Sequence, residues 1–180
     1  SLTNCGSMLA DDPKKLDLAY ETGKKIVELA RKNIKARDIV TLDSFKNAIS
    51  VDMAIGGSTN TVLHLPAIAK EFGIKIDYDL FDAISRETPN LTKIRPSGPD
   101  TMEDLDRAGG IPAVMKRLGN QLILNATTVN GTTIKEIADN AECKDDAVLR
   151  TIENAYSKTG GIAILKGNLA PKGSVVKAAA

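Results

Sequence analysis

The chain has 180 residues, 42% hydrophobic and 26% charged, and its 24 basic and 23 acidic side chains leave a formal charge of +1. That balance excludes an electrostatic footprint for nucleic acid or an anionic membrane, and no apolar run approaches the ~20 residues of a membrane span. The apolar fraction suffices for one packed domain, or one and a piece, while 3% aromatics and no Trp argue against a base-stacking platform.

Cys5 and Cys143 lie far apart, with no second Cys or His at metal-ligand spacing. Two reduced thiols in a cytoplasmic protein are expected, not a disulfide framework or a zinc or iron–sulfur site built from this stretch. The first residue is Ser1, and the last residues follow a strand-like stretch without a turn or polar tail. Both ends read as cuts inside a longer protein.

Asp12 and Pro13 are a helix start, N-cap and first helical position. Leu16, Tyr20, Ile26, Val27, Leu29 and Ala30 then give a helical stripe to about Lys32. Residues 38–41 are a connector, and Thr41 caps a second helix carrying Phe45, Ala48, Ile49 and Met53, ended by Gly56 and Gly57. A third helix begins at Ser58 or Thr59 and runs to Phe72, with Pro66 inside it and Gly73 as its stop. Residues 74–76 are expected as a short strand, and Asp79 as the cap of a fourth helix to about Arg86. The proline-containing stretch 88–100 is an ordered loop. Thr101 and Asp104 form a capping box for a short helix stopped by Gly109 and Gly110, and Pro112 begins another that Gly119 ends.

From Leu122 the pattern changes. Residues 122–124 and 127–129 are β-prone, with a turn signal at Asn130 and Gly131. Thr133 and Glu136 cap a further short helix, and residues 162–165 and 174–177 are strands flanking a turn at Gly167 and Asn168. The expected fold class is α/β, with a boundary near 121–126: residues 1–123 helix-rich, residues 124–180 leaning towards β.

The strongest local oddity is the run from Asp52 to Asn60. Gly56 and Gly57 let the backbone turn sharply. The following helix would then present free N–H groups beside Ser58, Thr59 and Asn60, suiting a carboxylate or phosphate. A helix corner in which Ser or Thr merely caps explains the same residues, and the Walker lysine is absent. His64, the single histidine, falls one helical turn beyond Asn60. It is either an acid–base or ligand group near the turn, or a buried, hydrogen-bonded histidine among Leu63, Leu65 and Ile68, the plainer alternative. Arg95, in the Pro-fixed loop with Ser97 and Gly98, has the chemistry to clamp a carboxylate, though surface loops share this composition. Glu103, Asp104 and Asp106 suit magnesium, but acids near a positive helix end explain them as well.

Three strings, MAIGGSTNTVLHLPAIA (Met53 to Ala69), KIRPSGPDTMEDLDRAGGIPAVM (Lys93 to Met115) and TGGIAILKGNLAPKGSVVK (Thr159 to Lys177), closely resemble the dihydroxy-acid dehydratase and 6-phosphogluconate dehydratase family, in order and with family-like spacing. The second string is more similar to the dihydroxy-acid branch. The resemblance implies a cytoplasmic (or organellar) hydro-lyase of branched-chain amino-acid, isoleucine and valine, biosynthesis. It would turn 2,3-dihydroxy-3-methylbutanoate and its 3-methylpentanoate homologue into 2-keto acids plus water. An aldonic-acid or 6-phosphogluconate dehydratase is the rival within the family, and a non-catalytic anion-binding or assembly module the rival outside it.

The resemblance further implies an iron–sulfur cluster (2Fe-2S or 4Fe-4S) and Mg²⁺, and a homodimer or higher homo-oligomer binding a small dihydroxy acid, with neither nucleic acid nor membrane as partner. Metal ions would activate the departing hydroxyl and a serine alkoxide would remove the C2 proton. The family's cluster cysteines, magnesium carboxylates, modified lysine and catalytic serine have no counterparts here, so no catalytic or metal-binding residue is assigned and the chain alone should be inactive. It would be the later part of a three-layer α/β/α N-terminal domain followed by the first strands of a β-rich, barrel-like C-terminal domain. Gly56, Gly57, Ser58, Thr59, Asn60, His64, Arg95 and Ser97 are the expected substrate- or cluster-pocket lining. A helical block without its partner strands should expose apolar faces and be poorly soluble.

Overall fold

The N-cap residues decide most of the helix starts in the computed structural model, which describes residues 2–178. Asp12 accepts from the Lys14 N–H at 2.8 Å and opens α1 (Pro13–Arg31). Thr41 and Ser44 cap α3 (Leu42–Ala54) reciprocally, as Thr101 and Asp104 do for α6 (Met102–Arg107) and Thr133 and Glu136 for α8 (Ile134–Asp139). Between α1 and α3 the expected connector contains a one-turn helix, α2 (Ala36–Ile39), whose Asp38 accepts from the Lys35 N–H at 2.8 Å. The third expected helix begins later than its Ser and Thr suggest: α4 is Thr61–Glu71. The helix after it, α5 (Tyr78–Glu87), is capped by Asp77, which accepts from the Leu80 N–H at 3.1 Å, and not by Asp79. Helix α7 (Gly110–Leu118) passes into a 3₁₀ turn, Gly119–Gln121.

Strands β1 (Ile162–Leu165) and β2 (Ser174–Lys177) pair antiparallel, Ile162 opposite Lys177 and Leu165 opposite Ser174. The described residues are therefore helix-rich with one two-stranded sheet. Residues 74–76, 122–124 and 127–129 form no strands; the last region makes a single bridge, Thr127 to Thr133. Strand propensity requires a neighbouring strand to pair with. The 122–124 segment is met instead by a helical side chain: Asn47 on α3 donates to the Ile123 carbonyl at 3.0 Å and accepts from its N–H at 2.8 Å.

Helix α3 lies between two cores and feeds both. Val51 and Ala54 pack with Leu91, Leu105, Val114, Leu118 and Leu149, while Phe45, Ile49 and Met53 pack with Val62, Phe81, Ile162 and Ile164. Ala48 is exposed, and the buried polar Asn47 stands in the interior instead. The first core also holds Leu122 and Ile134, so it runs through the expected change of character near residue 123. Backbone bonds fasten the hairpin to the second core: Gly160 N–H to Ser85 O at 2.7 Å and Gly161 N–H to Met53 O at 3.0 Å.

Helix α1 has the periodicity of a core helix but buries none of its residues; Leu16 is 77%, Tyr20 69% and Ile26 62% exposed. Lys25 and Lys32 flank Glu28 and hold its carboxyl down to about 2. Because no apolar contact is lost, Leu16→Gln and Ile26→Gln should change unfolding free energy by less than about 0.5 kcal/mol. The same substitutions should reduce self-association and dye binding by the isolated chain, since the exposed stripe is what drives both. Unfolding curves and light scattering of the two variants check this.

Candidate functional site

The C-terminal end of α3 holds the candidate site. Gly56 takes φ +75°, which turns the chain out of the helix. Gly57 follows with no space for a side chain: a methyl there would lie 2.0 Å from Asp52 Oδ1 and 2.3 Å from its Cγ. Asp52 lies one turn back on α3, half-buried, its carboxylate facing the turn. Oδ1 accepts from the Ser58 N–H at 3.3 Å, and Oδ2 stands 2.7 Å from the Thr61 hydroxyl. That hydroxyl is also 2.6 Å from Ser58 O. From the hairpin, Lys177 Nζ donates to Gly57 O at 2.9 Å.

The turn is less open to an anion than its sequence suggests. The Ser58 N–H is on Asp52, the Asn60 N–H on Ser58 Oγ at 3.2 Å, the Thr61 N–H on Ser58 O at 3.0 Å and the Val62 N–H on Thr59 O at 3.3 Å. The expectation of a row of free N–H groups is thus corrected: a tight turn and an acid from the preceding helix take those of Ser58 and of residues 60–62. What remains for a ligand are the Thr59 N–H and side chains. Ser58, Thr59 and Asn60 are exposed, and Asn60, the N-cap of α4, makes no capping bond with its amide. His64 lies one turn further on and is exposed, so the buried-histidine alternative does not hold; the apolar contacts of α4 go to Val62 and Ala69.

The two residues just before the second string are anchored at the same helix end. The Leu91 N–H donates to Ala54 O at 2.7 Å and the Thr92 hydroxyl to Ile55 O at 3.1 Å, seating residues 91 and 92 against the start of the turn. Beyond them the chain doubles back, Arg95 N–H to Asp100 O at 2.8 Å and Ser97 N–H to Ile94 O at 3.0 Å. Arg95 is exposed, its Nε donating to Pro99 O at 3.2 Å. The Ser97 hydroxyl is buried and without a hydrogen-bond partner among the described residues. No hydrogen bond among the described residues joins Arg95 or Ser97 to the turn; the two strings meet through the first core, where Ala54 packs with Leu105 and Val114.

No described group of three or more His, Cys, Asp or Glu side chains could hold a metal. The acids at the start of α6 are engaged: Glu103 pairs with Arg107, Asp104 caps Thr101, and Asp106 accepts from Ser7 at 2.7 Å. Cys143 Sγ contacts Ala113 O at 3.7 Å, and Cys5 is half-buried elsewhere. The residues described do not fit a cluster or a magnesium ion.

Sequence reasoning quoted Asp52 without giving it a role, and missed Lys177 and Asn47. An acid in the last turn of a helix, four residues before a Gly-Gly pair, was the available signal. Burial pushes the Asp52 carboxyl above its ordinary value, against hydrogen bonds from Thr61 and Ser58 and the charge of Lys177. The donor count agrees in direction. One Thr61 proton serves two acceptors when Asp52 is ionised, whereas a protonated carboxyl donates to Thr61 and frees its proton for Ser58 O. A carboxyl whose folded pKa is raised gives stability that is complete below the unfolded value, about 4. That stability is lost as pH rises through the folded value. Asp52→Asn mimics the neutral form, so its advantage over the unmodified chain should grow from near pH 4 upward and then level off, by up to about 1 kcal/mol. Urea unfolding of both proteins between pH 4 and 8 measures it; an advantage that shrinks with pH contradicts the assignment.

A sequence profile described as dihydroxy-acid/6-phosphogluconate dehydratase N-terminal matches residues 1–137, and its C-terminal counterpart matches residues 147–180. Among curated relatives, a dihydroxy-acid dehydratase of Thermodesulfovibrio yellowstonii is 61% identical over 91% of this chain and 30% of its own length. Those of Endomicrobium trichonymphae and Methanosarcina barkeri are 53% and 52% identical over 100% of this chain, and 32% and 33% of their own. The chain thus spans about a third of the length of the relatives it matches. Matched by both family profiles in chain order and by such relatives along nearly all of its residues, the chain belongs to the dihydroxy-acid/6-phosphogluconate dehydratase family.

Proposed function

We propose that this chain is the middle segment of a dihydroxy-acid dehydratase, a hydro-lyase that takes water from 2,3-dihydroxy-3-methylbutanoate and its 3-methylpentanoate homologue to leave the 2-keto acids. The observation that carries the reading is the identity of 50–61% to relatives named dihydroxy-acid dehydratase. In such a protein the chain would pass from an α/β/α N-terminal domain into a β-rich C-terminal one. The iron–sulfur cluster and Mg²⁺ would be held by residues outside this segment. The Gly56–Asn60 turn, with His64, Arg95 and Ser97, would line the pocket: hydroxyl, amide and guanidinium groups suit a substrate that is a carboxylate bearing two hydroxyls. A homo-oligomer in the cytoplasm or an organelle completes the reading. Among the described residues no helix is long and apolar enough to cross a membrane.

The test is the protein at the length of its relatives, purified without oxygen and given 2,3-dihydroxy-3-methylbutanoate, an aldonate and 6-phosphogluconate in parallel. Keto-acid formation from the branched dihydroxy acid, at a kcat/KM at least about tenfold above the others, is expected. A preference for either sugar acid assigns the chain to the other branch of the family.

A further inference from the structure

The capping of α4 is done from outside. Its N-cap residue, Asn60, has helical dihedrals and makes no capping bond with its side chain, although Asn is among the better caps. The missing acceptor comes from the preceding helix: Asp52 holds the Ser58 N–H and the Thr61 hydroxyl, the latter on the first residue of α4. An acid here also faces the positive end of the α4 dipole. Opposite Asp52, Lys177 of β2 holds Gly57 O. The turn is thus gripped by an acid from α3 and a base from the hairpin, and neither is among its exposed groups. The arrangement leaves Thr59 and Asn60 uncommitted, since no side-chain bond of either occurs among the described residues. Gly57 is part of the grip, because its missing side chain is what lets the carboxylate sit 2.0 Å from where a methyl would be.

We propose that Asp52 is a positioning residue, with Lys177 as its counterpart: together they hold the Gly56–Asn60 turn so that Thr59 and Asn60 face the substrate. The inference rests on the reading of this turn as pocket lining. Asp52 touches no substrate; it acts through the Ser58 backbone and the Thr61 hydroxyl. Asparagine can replace it, since Oδ1 can accept from Ser58 N–H while Nδ2 donates to Thr61, whereas alanine leaves both without a partner.

The whole protein, at the length of its relatives and with its metals, is compared as Asp52→Ala, Asp52→Asn and Lys177→Met. In Asp52→Ala, KM for 2,3-dihydroxy-3-methylbutanoate should rise about tenfold or more with kcat within about threefold and iron content unchanged. Asp52→Asn should recover KM to within about threefold, and Lys177→Met should fall between the two. Hydrogen exchange should quicken at least about tenfold in the peptide covering residues 57–62 of Asp52→Ala, and not in the interior of α3. An Asp52→Ala protein with unchanged KM, or one that loses iron and kcat while KM stays fixed, overturns the proposal. If the unmodified protein dehydrates none of the three acids, the reading of the function fails, and the exchange experiment alone decides whether Asp52 holds the turn: unchanged exchange at residues 57–62 overturns that too.

Discussion

Gly109→Ala should destabilise the protein by roughly 3–5 kcal/mol. Gly109 links α6 to α7 with φ +120°, a conformation that L side chains rarely adopt. Its added methyl would lie 2.0 Å from Glu142 O and 2.7 Å from Ala113 Cβ. Neither neighbour can swing away. Glu142 O is backbone, and the segment carrying it is tied down on both sides: Lys144 N–H donates to Ala108 O at 2.9 Å, and Lys116 Nζ to Ala141 O at 2.7 Å. Ala113 is fully buried in the first core. Gly73→Ala is the comparison that separates the two causes. Gly73 also has positive φ, +75°, but nothing lies within 4 Å of its added methyl. That variant should lose only about 1 kcal/mol, the backbone share alone. Urea unfolding of the two variants gives the difference, which is the cost of close packing at the α6–α7 corner. Equal losses would mean that the 142–144 segment yields.

The parts of the fold legible in the sequence are those decided within four residues. Asp12 with Pro13, Thr41, Thr101 with Asp104, and Thr133 with Glu136 each satisfy a helix end from a neighbouring side chain, and each works as its sequence suggests. The same local logic misplaces the start of α5, because Asp77 and Asp79 are both plausible caps and only the extended backbone at Asp77 suits one. Residues 74–76 and 122–124 were illegible for the opposite reason. Apolar β-prone runs of this length become strands only where a partner strand arrives. Here Ile76 is buried against the second core and residues 122–124 are held by Asn47, 76 positions away from Ile123. Helix α1 shows the limit from the other side: its stripe forecasts a helix, which forms, but periodicity names a face and not what covers it, and here the face is exposed.

The candidate site divides in the same way. The Gly-Gly turn and its polar residues were visible, because glycine at positive φ and small polar side chains mark such turns locally. That Asp52 would occupy the N–H of Ser58 was not, since it depends on how α3 and α4 cross. Nor could the sequence bring the residues that lead into the second string to the end of α3; that follows from Leu91 and Thr92 bonding to Ala54 and Ile55, 37 positions back. Of the two readings of His64 only the buried one falls, because the apolar neighbours it leaned on, Leu63 and Ile68, are themselves exposed.

Gly98→Ala should cost about 2–3 kcal/mol of stability and, in the whole protein, lower kcat/KM by a further tenfold or so. The added methyl would stand 2.2 Å from Lys93 O and 2.5 Å from Lys93 Cβ, so the two arms of the 93–100 loop cannot keep their present spacing. Lys93 O is also the acceptor for the Asp100 N–H at 3.3 Å, and the chain before it is fixed to α3 through Leu91 and Thr92. The strain is therefore relieved on the free side of the loop, where Arg95 and Ser97 sit. Moving that side breaks the Arg95 Nε bond to Pro99 O and re-aims the guanidinium. If Arg95 holds the substrate carboxylate, an error of an ångström or so matters to the rate even where the protein stays folded. Assays well below the unfolding temperature distinguish the two effects. A loss of activity that disappears there is a loss of stability alone, and Arg95 and Ser97 then do not belong to the pocket. A loss that persists in fully folded protein, matched by Arg95→Lys, which keeps the charge but not the planar fork, places the loop at the substrate.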